Sequence, residues 1–403
     1  MKKNRIAIIG TVGIPAKYGG FETLAEQLVT NLSDEFDFTV YCSKKRYSEE
    51  ERISQYKGAK LEYINLEANG IQSILYDCIS IVKSLKNNDV LLILGVAGAF
   101  ILPFIKLFTN KKIIISIDGI EWKRDKWSFF AKMYLWWAEK IAVKYSHFDI
   151  SDNESIQDYT AMRYETLSKV IEYGADHTLQ VKPNKTDYIK YTFLNGNYAV
   201  KVCRIEPENN IHVVLNAFSL HANTNLVIIG NWENNEYGKS LKKKYSAFKN
   251  IFLYDPIYDQ REIDLIRGNA TLYVHGHSAG GTNPSLVEAM FLGLPIVSYN
   301  VSYNKTTTEN KALYFSNELE LNKIIQNLTK NDLKNLGLKM KNIADRRYKW
   351  EIIAEKYKQL FTEVLFAGKK TSLNNQFSVI KNDTLEELHL SHLKYTNTFY
   401  EKR

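Results

Sequence analysis

The sequence predicts an α/β protein with two doubly wound, mainly parallel sheets. Near-continuous apolar runs of strand length alternate with helical patterns, which is typical of parallel strands covered on both faces. A polar stretch interrupts this alternation, and 403 residues are enough for two domains with a core each. We therefore predict a first domain over 1–181, a linker over 182–192 and a second domain over 193–347.

The elements follow in chain order. Strands are predicted, from the apolar runs, at 5–10, 37–42, 60–66, 90–94, 112–117, 147–150, 198–202, 225–230, 251–254, 271–274 and 295–298. Helices are predicted, from helical spacing, at 21–32, 71–85, 127–144 and 154–162. After Glu309 the chain is predicted to be helical and polar, ending in an amphipathic helix over 348–366. Residues 367–403 form a polar tail to which the sequence assigns no role.

Composition and charge restrict the function classes. The net charge of +8 favours a nucleic acid or an anionic membrane surface as a partner. No nucleic-acid-binding motif accompanies the charge, so we expect no nucleic acid. Three scattered cysteines indicate a reducing compartment without a disulfide framework. The uncharged stretch 90–105 is too short and too rich in Gly and Pro for a comfortable span, and we expect no transmembrane helix.

The most informative stretch lies between two predicted strands, at 280–290. A Gly-rich loop there opens a helix that carries one carboxylate, Glu288, in its second turn. The free N–H groups of a helix N-terminus bind anions, and a carboxylate one or two turns further on can reach a ribose hydroxyl beside the anion. This pattern favours a nucleotide-sugar site. The alternative is a helix start that needs small residues only for packing.

A second Gly-rich loop, 10–23, follows the first predicted strand. Its spacing matches neither the dinucleotide fingerprint nor the P-loop, and the strand after it lacks the acidic residue that a dinucleotide ribose requires. The sequence therefore disfavours a dehydrogenase. The glycine pair Gly19-Gly20 allows close approach of a phosphate to the backbone, and a purely structural turn is the alternative.

The combination of motifs resembles bacterial family 4 glycosyltransferases of the rhamnosyltransferase subgroup, with an N-terminal domain of the DUF1972 type. The segments that carry the resemblance are GIPAKYGGFE at 13–22, DGIEWKR at 118–124, GAD at 174–176, RIEPENN at 204–210 and HGHS at 275–278. The resemblance implies a GT-B fold: two facing Rossmann-like domains with the active site in the interdomain cleft. The final helix, 348–366, is expected to cross back to the first domain.

The resemblance also implies an activity. Such enzymes retain the anomeric configuration and need no metal or other cofactor. The expected reaction moves L-rhamnose from dTDP-L-rhamnose to a polyprenyl-diphosphate-linked sugar during assembly of a capsule, O-antigen or wall rhamnan. Front-face attack within an ion pair is expected, with a covalent intermediate as the alternative route. Two other readings stay open, a UDP-hexose donor and a catalytically silent partner subunit.

Donor binding is assigned by the resemblance to residues of both Gly-rich loops and to one arginine. These residues are Gly19, Gly20, Arg204, Gly281, Thr282, Asn283 and Glu288. Arg204 ends a predicted strand, where its guanidinium can hold a diphosphate bidentately, and a surface salt bridge is the alternative.

The chain departs from the family pattern twice. The family's second diphosphate cation falls on Asn209, with Lys123 or Arg124 as candidate replacements, and the first glutamate of its Glu-x7-Glu motif falls on Gly280. Backbone N–H groups of residues 281–283 are expected to hold the sugar instead. An inactive protein is the alternative.

Catalytic roles are assigned to the segment after the fifth predicted strand, namely to Asp118, Glu121 and Lys123. Asp118 is expected to accept a hydrogen bond from a sugar hydroxyl, and capping of the next helix is the alternative. Four further residues are expected to line the cleft: His275, His277, Asn304 and Glu309. Because the two histidines have no further ligand nearby, no metal site is expected.

An aromatic helical run suggests where the protein acts. Phe129, Phe130, Met133 and Trp137 share a predicted helix with several lysines. Such a helix can lie in an anionic membrane surface, and a helix packed on the sheet is the alternative. Together with the positive charge and the lipid-linked acceptor that the resemblance implies, this predicts a cytoplasmic protein bound peripherally to the inner face of the bacterial plasma membrane.

Overall fold

A computed structural model describes residues 3–17, 19–117, 119–124, 127–221, 224–368 and 370. The chain divides into two compact units. The first comprises the described residues of 1–123, 127–173 and 350–403, and the second those of 124–126 and 174–349.

The first unit is built on an eight-stranded sheet in the order β3-β4-β2-β1-β5-β6-β7-β8. All neighbouring strands are parallel except β3, which pairs antiparallel with β4. The strands are β1 Asn4–Ile9, β2 Phe36–Ser43, β3 Gln55–Tyr56, β4 Ala59–Ile64, β5 Val90–Leu94, β6 Lys112–Ile117, β7 Phe148–Ser151 and β8 Lys169–Val170. The strand order reverses between β1 and β5, as in doubly wound sheets.

Helices connect these strands. They are α1 Gly20–Leu32, α2 Ser73–Ser84, α3 Leu102–Phe108, α4 Phe129–Tyr145 and α5 Glu154–Tyr164. The central strands are apolar on both faces because helices cover both: all five residues of β5 are buried.

The second unit has a six-stranded, fully parallel sheet in the order β11-β10-β9-β12-β13-β14. Its strands are β9 Tyr198–Val202, β10 Asn225–Ile229, β11 Ile251–Tyr254, β12 Leu272–His275, β13 Ile296–Tyr299 and β14 Leu313–Phe315. Its helices are α6 Lys185–Lys190, α7 Ile211–Ser219, α8 Glu236–Tyr245, α9 Gln260–Gly268, α10 Pro284–Phe291, α11 Ser302–Thr307, α12 Glu318–Asn327 and α13 Lys330–Arg347. Here the order reverses between β9 and β12.

The last helix, α14 Trp350–Phe366, belongs to the first unit. The ring of Phe361 lies 5.4 Å from that of Phe36 and 6.2 Å from that of Phe38, both on β2. Exposed ion pairs from Lys358 to Glu35 and from Glu363 to Lys169 flank this apolar contact.

The predicted class of two doubly wound parallel sheets is confirmed. The prediction missed three short strands, β3, β8 and β14. Two of them have only two residues, and β14 lies in a part of the chain predicted to be helical. The stretch 90–105 is strand β5 followed by the start of α3, and within the described residues no helix is long and apolar enough to cross a membrane.

Candidate active site

The second unit presents a site where its strand order reverses. In doubly wound sheets, ligands bind at this point, outside the carboxyl ends of the two diverging strands. Arg204 follows β9, and the Gly-rich loop 276–283 follows β12. The Arg204 side chain is exposed, and among the described residues no carboxylate forms an ion pair with it. The surface salt bridge considered from the sequence is therefore absent from the described residues.

Side-chain amides join the two loops. Asn209 Nδ2 donates to the carbonyl oxygen of Arg204 at 2.6 Å, and Asn210 Nδ2 donates to that of Gly276 at 2.9 Å. The Ser278 N–H donates to the carbonyl oxygen of Glu208 at 2.8 Å. Asn209, which replaces the cation of the family pattern, thus holds the loop that carries Arg204.

The start of α10 is fixed against β9. Asn283 is the N-cap, and its Oδ1 accepts hydrogen bonds from the Ser285 N–H at 3.0 Å and from Ser285 Oγ at 2.7 Å. Ser285 Oγ lies 3.1 Å from the carbonyl oxygen of Val202, to which it can also donate. Gly281 and Thr282 are buried just before the cap. The N-terminus of α10 therefore lies beside Val202, two residues before Arg204.

Gly280 has a backbone φ of 130°, and no atom of the described residues lies within 4 Å of the position that a Cβ would occupy there. Space for a side chain exists, but residues other than glycine are strained at this φ. The loop conformation therefore disfavours the glutamate of the family pattern at this position.

Glu288 has protein partners of its own. Its carboxylate forms an ion pair with the buried Arg267, and His177 Nε2 lies 3.1 Å from its Oε1. Burial, followed by the charge of Arg267, lowers the pKa of His177 to about 4, so His177 is neutral at neutral pH and can donate one hydrogen bond. Sequence reasoning missed both partners because they come from α9 and from the segment after Gly174.

Glu288→Ala and Glu288→Gln both remove the negative charge beside the buried Arg267, but glutamine keeps the side-chain length and an amide oxygen that can accept from the guanidinium. Glu288→Gln is therefore the cleaner test. If Glu288 binds the donor ribose, Glu288→Gln is expected to weaken donor binding by about 1–3 kcal/mol, the range for a hydrogen bond to a charged group. Titration calorimetry with the nucleotide sugar measures this. Asp264→Asn is the control, since Asp264 lies 3.9 Å from the same guanidinium. Unchanged donor affinity in Glu288→Gln would exclude the role.

His275 and His277 are both buried rather than open loop residues. Their rings stack with centroids 4.3 Å apart and planes 10° apart. Burial lowers the pKa of both far below the usual range, so both are neutral. Within the described part of the chain, neither ring nitrogen of His275 has a hydrogen-bond partner, nor does Nδ1 of His277. Residues two apart along a strand project from the same face, so strand alternation accounts for this stacking.

Asn304 and Glu309 are engaged within the second unit. Asn304 is 1% exposed, and its Nδ2 donates to the carbonyl oxygens of His277 at 2.9 Å and Tyr299 at 3.0 Å. Glu309 forms an ion pair with Arg346 at 2.6 Å. Asn304 therefore holds the Gly-rich loop 276–283 at His277, and Glu309 links the end of α11 to α13.

In the first unit, the loop after β1 is ordered by carboxylates of α1. Glu22 Oε1 accepts from the Val12 N–H at 2.7 Å and from Thr11 Oγ1 at 2.9 Å. Gly19 has a φ of 103°, and a Cβ there would collide with Glu22 Oε2, so only glycine fits. Gly20 begins α1. A glutamate in the first turn of a helix after a loop was the available signal for this contact.

The segment after β6 carries the residues assigned to catalysis. Asp118 lies outside the described residues. Glu121 Oε1 accepts from Trp127 Nε1 at 2.9 Å, and Lys123 Nζ lies 5.5 Å from the ring centroid of Trp122. The described residues thus place Glu121 and Lys123 on one short 3-10 turn.

A buried network fixes this turn. Trp122 Nε1 donates to the hydroxyl of Tyr159 at 2.8 Å, and that hydroxyl donates to Glu139. Arg163 Nη1 lies 2.8 Å from Glu139 Oε1, and both side chains are 2% exposed. The ion pair between α4 and α5 therefore holds Trp122, which lies between Glu121 and Lys123, through the Tyr159 hydroxyl.

Arg124, a candidate replacement for the missing cation, is buried and groups with the second unit. Its charge is one of the smaller causes that lower the pKa of His277, after burial. Within the described residues, no group of three or more His, Cys, Asp or Glu side chains could hold a metal ion.

Two domain families match the chain. Residues 3–176 match the domain of unknown function DUF1972, and residues 187–347 match glycosyl transferases group 1. No curated protein sequence is significantly similar to the chain.

Solved structures share the fold at low sequence identity. A sucrose-phosphate synthase from Thermosynechococcus elongatus has a TM-score of 0.77 at 14% identity, covering 91% of this chain and 100% of that one. A glycosyltransferase from Rickettsia africae has a TM-score of 0.70 at 14% identity, with coverage of 91% and 100%. Anabaena HepE in complex with UDP-glucose has a TM-score of 0.65 at 14% identity, with coverage of 89% and 99%. The group 1 domain and this fold together support a glycosyltransferase of the GT-B type.

Proposed function

We propose that this protein is a retaining, family 4 glycosyltransferase that moves L-rhamnose from dTDP-L-rhamnose to a polyprenyl-diphosphate-linked sugar during assembly of a cell-surface polysaccharide. One observation carries the proposal. The exposed Arg204 guanidinium, without a carboxylate partner in the described residues, lies at the reversal of strand order where the α10 N-terminus also opens. A planar cation beside the N-terminus of a helix, where the helix dipole favours negative charge, suits a diphosphate.

The donor would bind to the second unit. Arg204 would hold the diphosphate, the N–H groups of residues 281–283 the sugar, and Glu288 the ribose. Glu288 can serve because it is half-buried and already oriented by Arg267 and His177. Gly19 and Gly20 are proposed to bind the phosphates through their backbone. No metal is needed in this scheme, since arginine and backbone N–H groups neutralise the leaving diphosphate.

The acceptor would bind near residues 118–123, the segment that Trp122 anchors. Asp118 and Glu121 are proposed to orient the reacting hydroxyls, and Lys123 to stabilise negative charge. In front-face transfer, the bond between the anomeric carbon and the diphosphate oxygen breaks first. An oxygen of the departing diphosphate takes the proton of the acceptor hydroxyl, and the acceptor oxygen bonds to the same face of the anomeric carbon. His275, His277 and Asn304 would support the donor loop rather than contact the sugar, and Glu309 would stabilise the end of α11.

Two alternative functions each have one observation in their favour. The likeness to HepE, whose structure holds UDP-glucose, favours a UDP-hexose donor. The conformation of Gly280, which disfavours a glutamate there, favours a catalytically silent subunit. Turnover assays with dTDP-L-rhamnose and with UDP-hexoses, on an extracted lipid-linked acceptor pool, separate them. Turnover with the rhamnosyl donor alone supports our proposal, and no turnover with any donor supports the silent subunit.

Action on a lipid-linked acceptor would place the protein on the inner face of the plasma membrane. Phe129 and Phe130 are 51% and 74% exposed, so they are not core residues of α4. Helix α3 packs beside α4 and adds three exposed apolar side chains, Phe104, Leu107 and Phe108. Exposed lysines follow on α4, at 140 and 144. An apolar face with adjoining basic charge suits insertion into an anionic leaflet.

We expect the protein to sediment with vesicles that contain phosphatidylglycerol at low salt and to be released as salt rises, because the Debye length is about 10 Å at 0.1 M. Phe129→Ser/Phe130→Ser is expected to weaken the binding that remains at high salt, with native circular dichroism. The control is Ile189→Ser, which removes an apolar side chain that is 79% exposed in the second unit. A protein that ignores such vesicles at every salt concentration would contradict membrane docking.

A further inference from the structure

A lysine lies in the core of the second unit. Lys201 occupies the central strand β9, is 0% exposed, and its Nζ has no hydrogen-bond partner among the residues that the structure describes. Transfer of an unpaired ammonium group into a protein interior costs several kcal/mol even after relaxation, by order of magnitude. Burial of this ammonium group is costly, and the other residues of β9 are apolar. The lysine therefore suggests a function that depends on its charge.

The geometry shows where that charge acts. A Cβ at position 276 would lie 2.8 Å from Lys201 Nζ and would also collide with the carbonyl oxygen of Asn209. The ammonium group therefore lies directly beneath Gly276 and Asn209. These two residues belong to the paired loops that carry Arg204 and lead to the α10 N-terminus.

The groups around the lysine leave its charge uncompensated. Cys203, on the same segment, and the stacked rings of His275 and His277 are its titratable neighbours, and Arg204 follows towards the surface. Both histidines are neutral, and no carboxylate among the described residues pairs with Lys201 or Arg204. Burial lowers the pKa of Lys201, and a polyanion bound above it would raise that pKa again.

We propose that Lys201 supplies the second positive charge for the donor diphosphate, acting as a positioning residue from beneath the loops. This inference rests on the proposed function. The ammonium group takes the place of a cation at position 209, where the amide of Asn209 is committed to holding the Arg204 loop. The charge acts through the backbone of residues 209 and 276. The medium there has a low dielectric constant, so electrostatic interactions are weakened less than in water.

Lys201→Met tests the proposal because it keeps the length of the side chain and removes the charge. In the full-length protein, we expect the Kd for dTDP, or for UDP if that is the nucleotide bound, to rise about tenfold. The Kd for the matching nucleoside, followed by NMR titration, should stay unchanged. The melting temperature should stay equal or rise, because an unpaired buried charge is lost. Lys243→Met, at an exposed lysine of α8, controls for net charge.

Each other outcome decides against the proposal. Equal nucleoside-diphosphate affinity in the wild type and Lys201→Met would overturn the role of Lys201 and leave the proposed function standing. Loss of nucleoside affinity together with a lower melting temperature, in both Lys201→Met and Lys201→Leu, would make the lysine structural. A wild-type protein that binds neither dTDP nor UDP would overturn the proposed function as well.

Discussion

Arg204→Lys is expected to lower kcat/KM by about 100-fold or more, roughly 2.7 kcal/mol of transition-state stabilisation. In our proposal the exposed guanidinium holds a diphosphate with two parallel hydrogen bonds, and a lysine offers a point charge instead of a planar fork. Charge accumulates on the diphosphate as the glycosidic bond breaks, so we expect kcat to fall more than donor affinity does. Steady-state kinetics with saturating acceptor measures both.

The control for this change is Arg261→Lys. Arg261 forms a half-exposed ion pair with Asp187 in the same unit, where a lysine can serve nearly as well. Its kinetics should match the wild type. If Arg204→Lys turned over like the parent, Arg204 would be a surface residue without a role in the reaction.

Glu139→Ala is expected to destabilise the first unit by about 3–5 kcal/mol, since it leaves the buried guanidinium of Arg163 without its ion-pair partner. Loss of Glu139 also removes the acceptor for the Tyr159 hydroxyl that holds Trp122. Thermal and denaturant unfolding should both show the loss. Any folded fraction should have lower activity as well, because the turn with Glu121 and Lys123 loses its anchor.

A surface ion pair of the same unit provides the comparison. Glu363→Ala breaks a pair with Lys169 in which both side chains are about half exposed, and it should cost at most about 1 kcal/mol. Equal and small losses in the two variants would show that the network around Arg163 does not hold this part of the fold.

The sheets could be predicted because strand and helix periodicity is local. The buried strands β1, β5, β6, β9 and β10 are mainly apolar runs, and each was located to within about a residue. The short strands β3 and β8 and the three-residue β14 carry too few residues for a periodic signal. Their pairing depends on the neighbouring strand in the sheet, which sequence patterns do not show.

The site was predictable only in part. The Gly-rich loops and Arg204 carry local signals, because glycine spacing and a cation at a strand end have direct physical meanings. The partners of Glu288 and the position of Lys201 against Gly276 depend on contacts between segments far apart in the chain. Lys201 was included in a predicted strand as an ordinary strand residue, since nothing in the local pattern reveals that its charge is buried.

The most direct test of the central claim is titration calorimetry of the wild-type protein with dTDP-L-rhamnose and with UDP-glucose, in the absence of metal ions and with EDTA present. Our account predicts saturable binding of the rhamnosyl donor, tighter than that of UDP-glucose and lost in Arg204→Ala. Tighter binding of UDP-glucose would contradict the donor assignment, and binding of neither nucleotide sugar would contradict the nucleotide-sugar site itself.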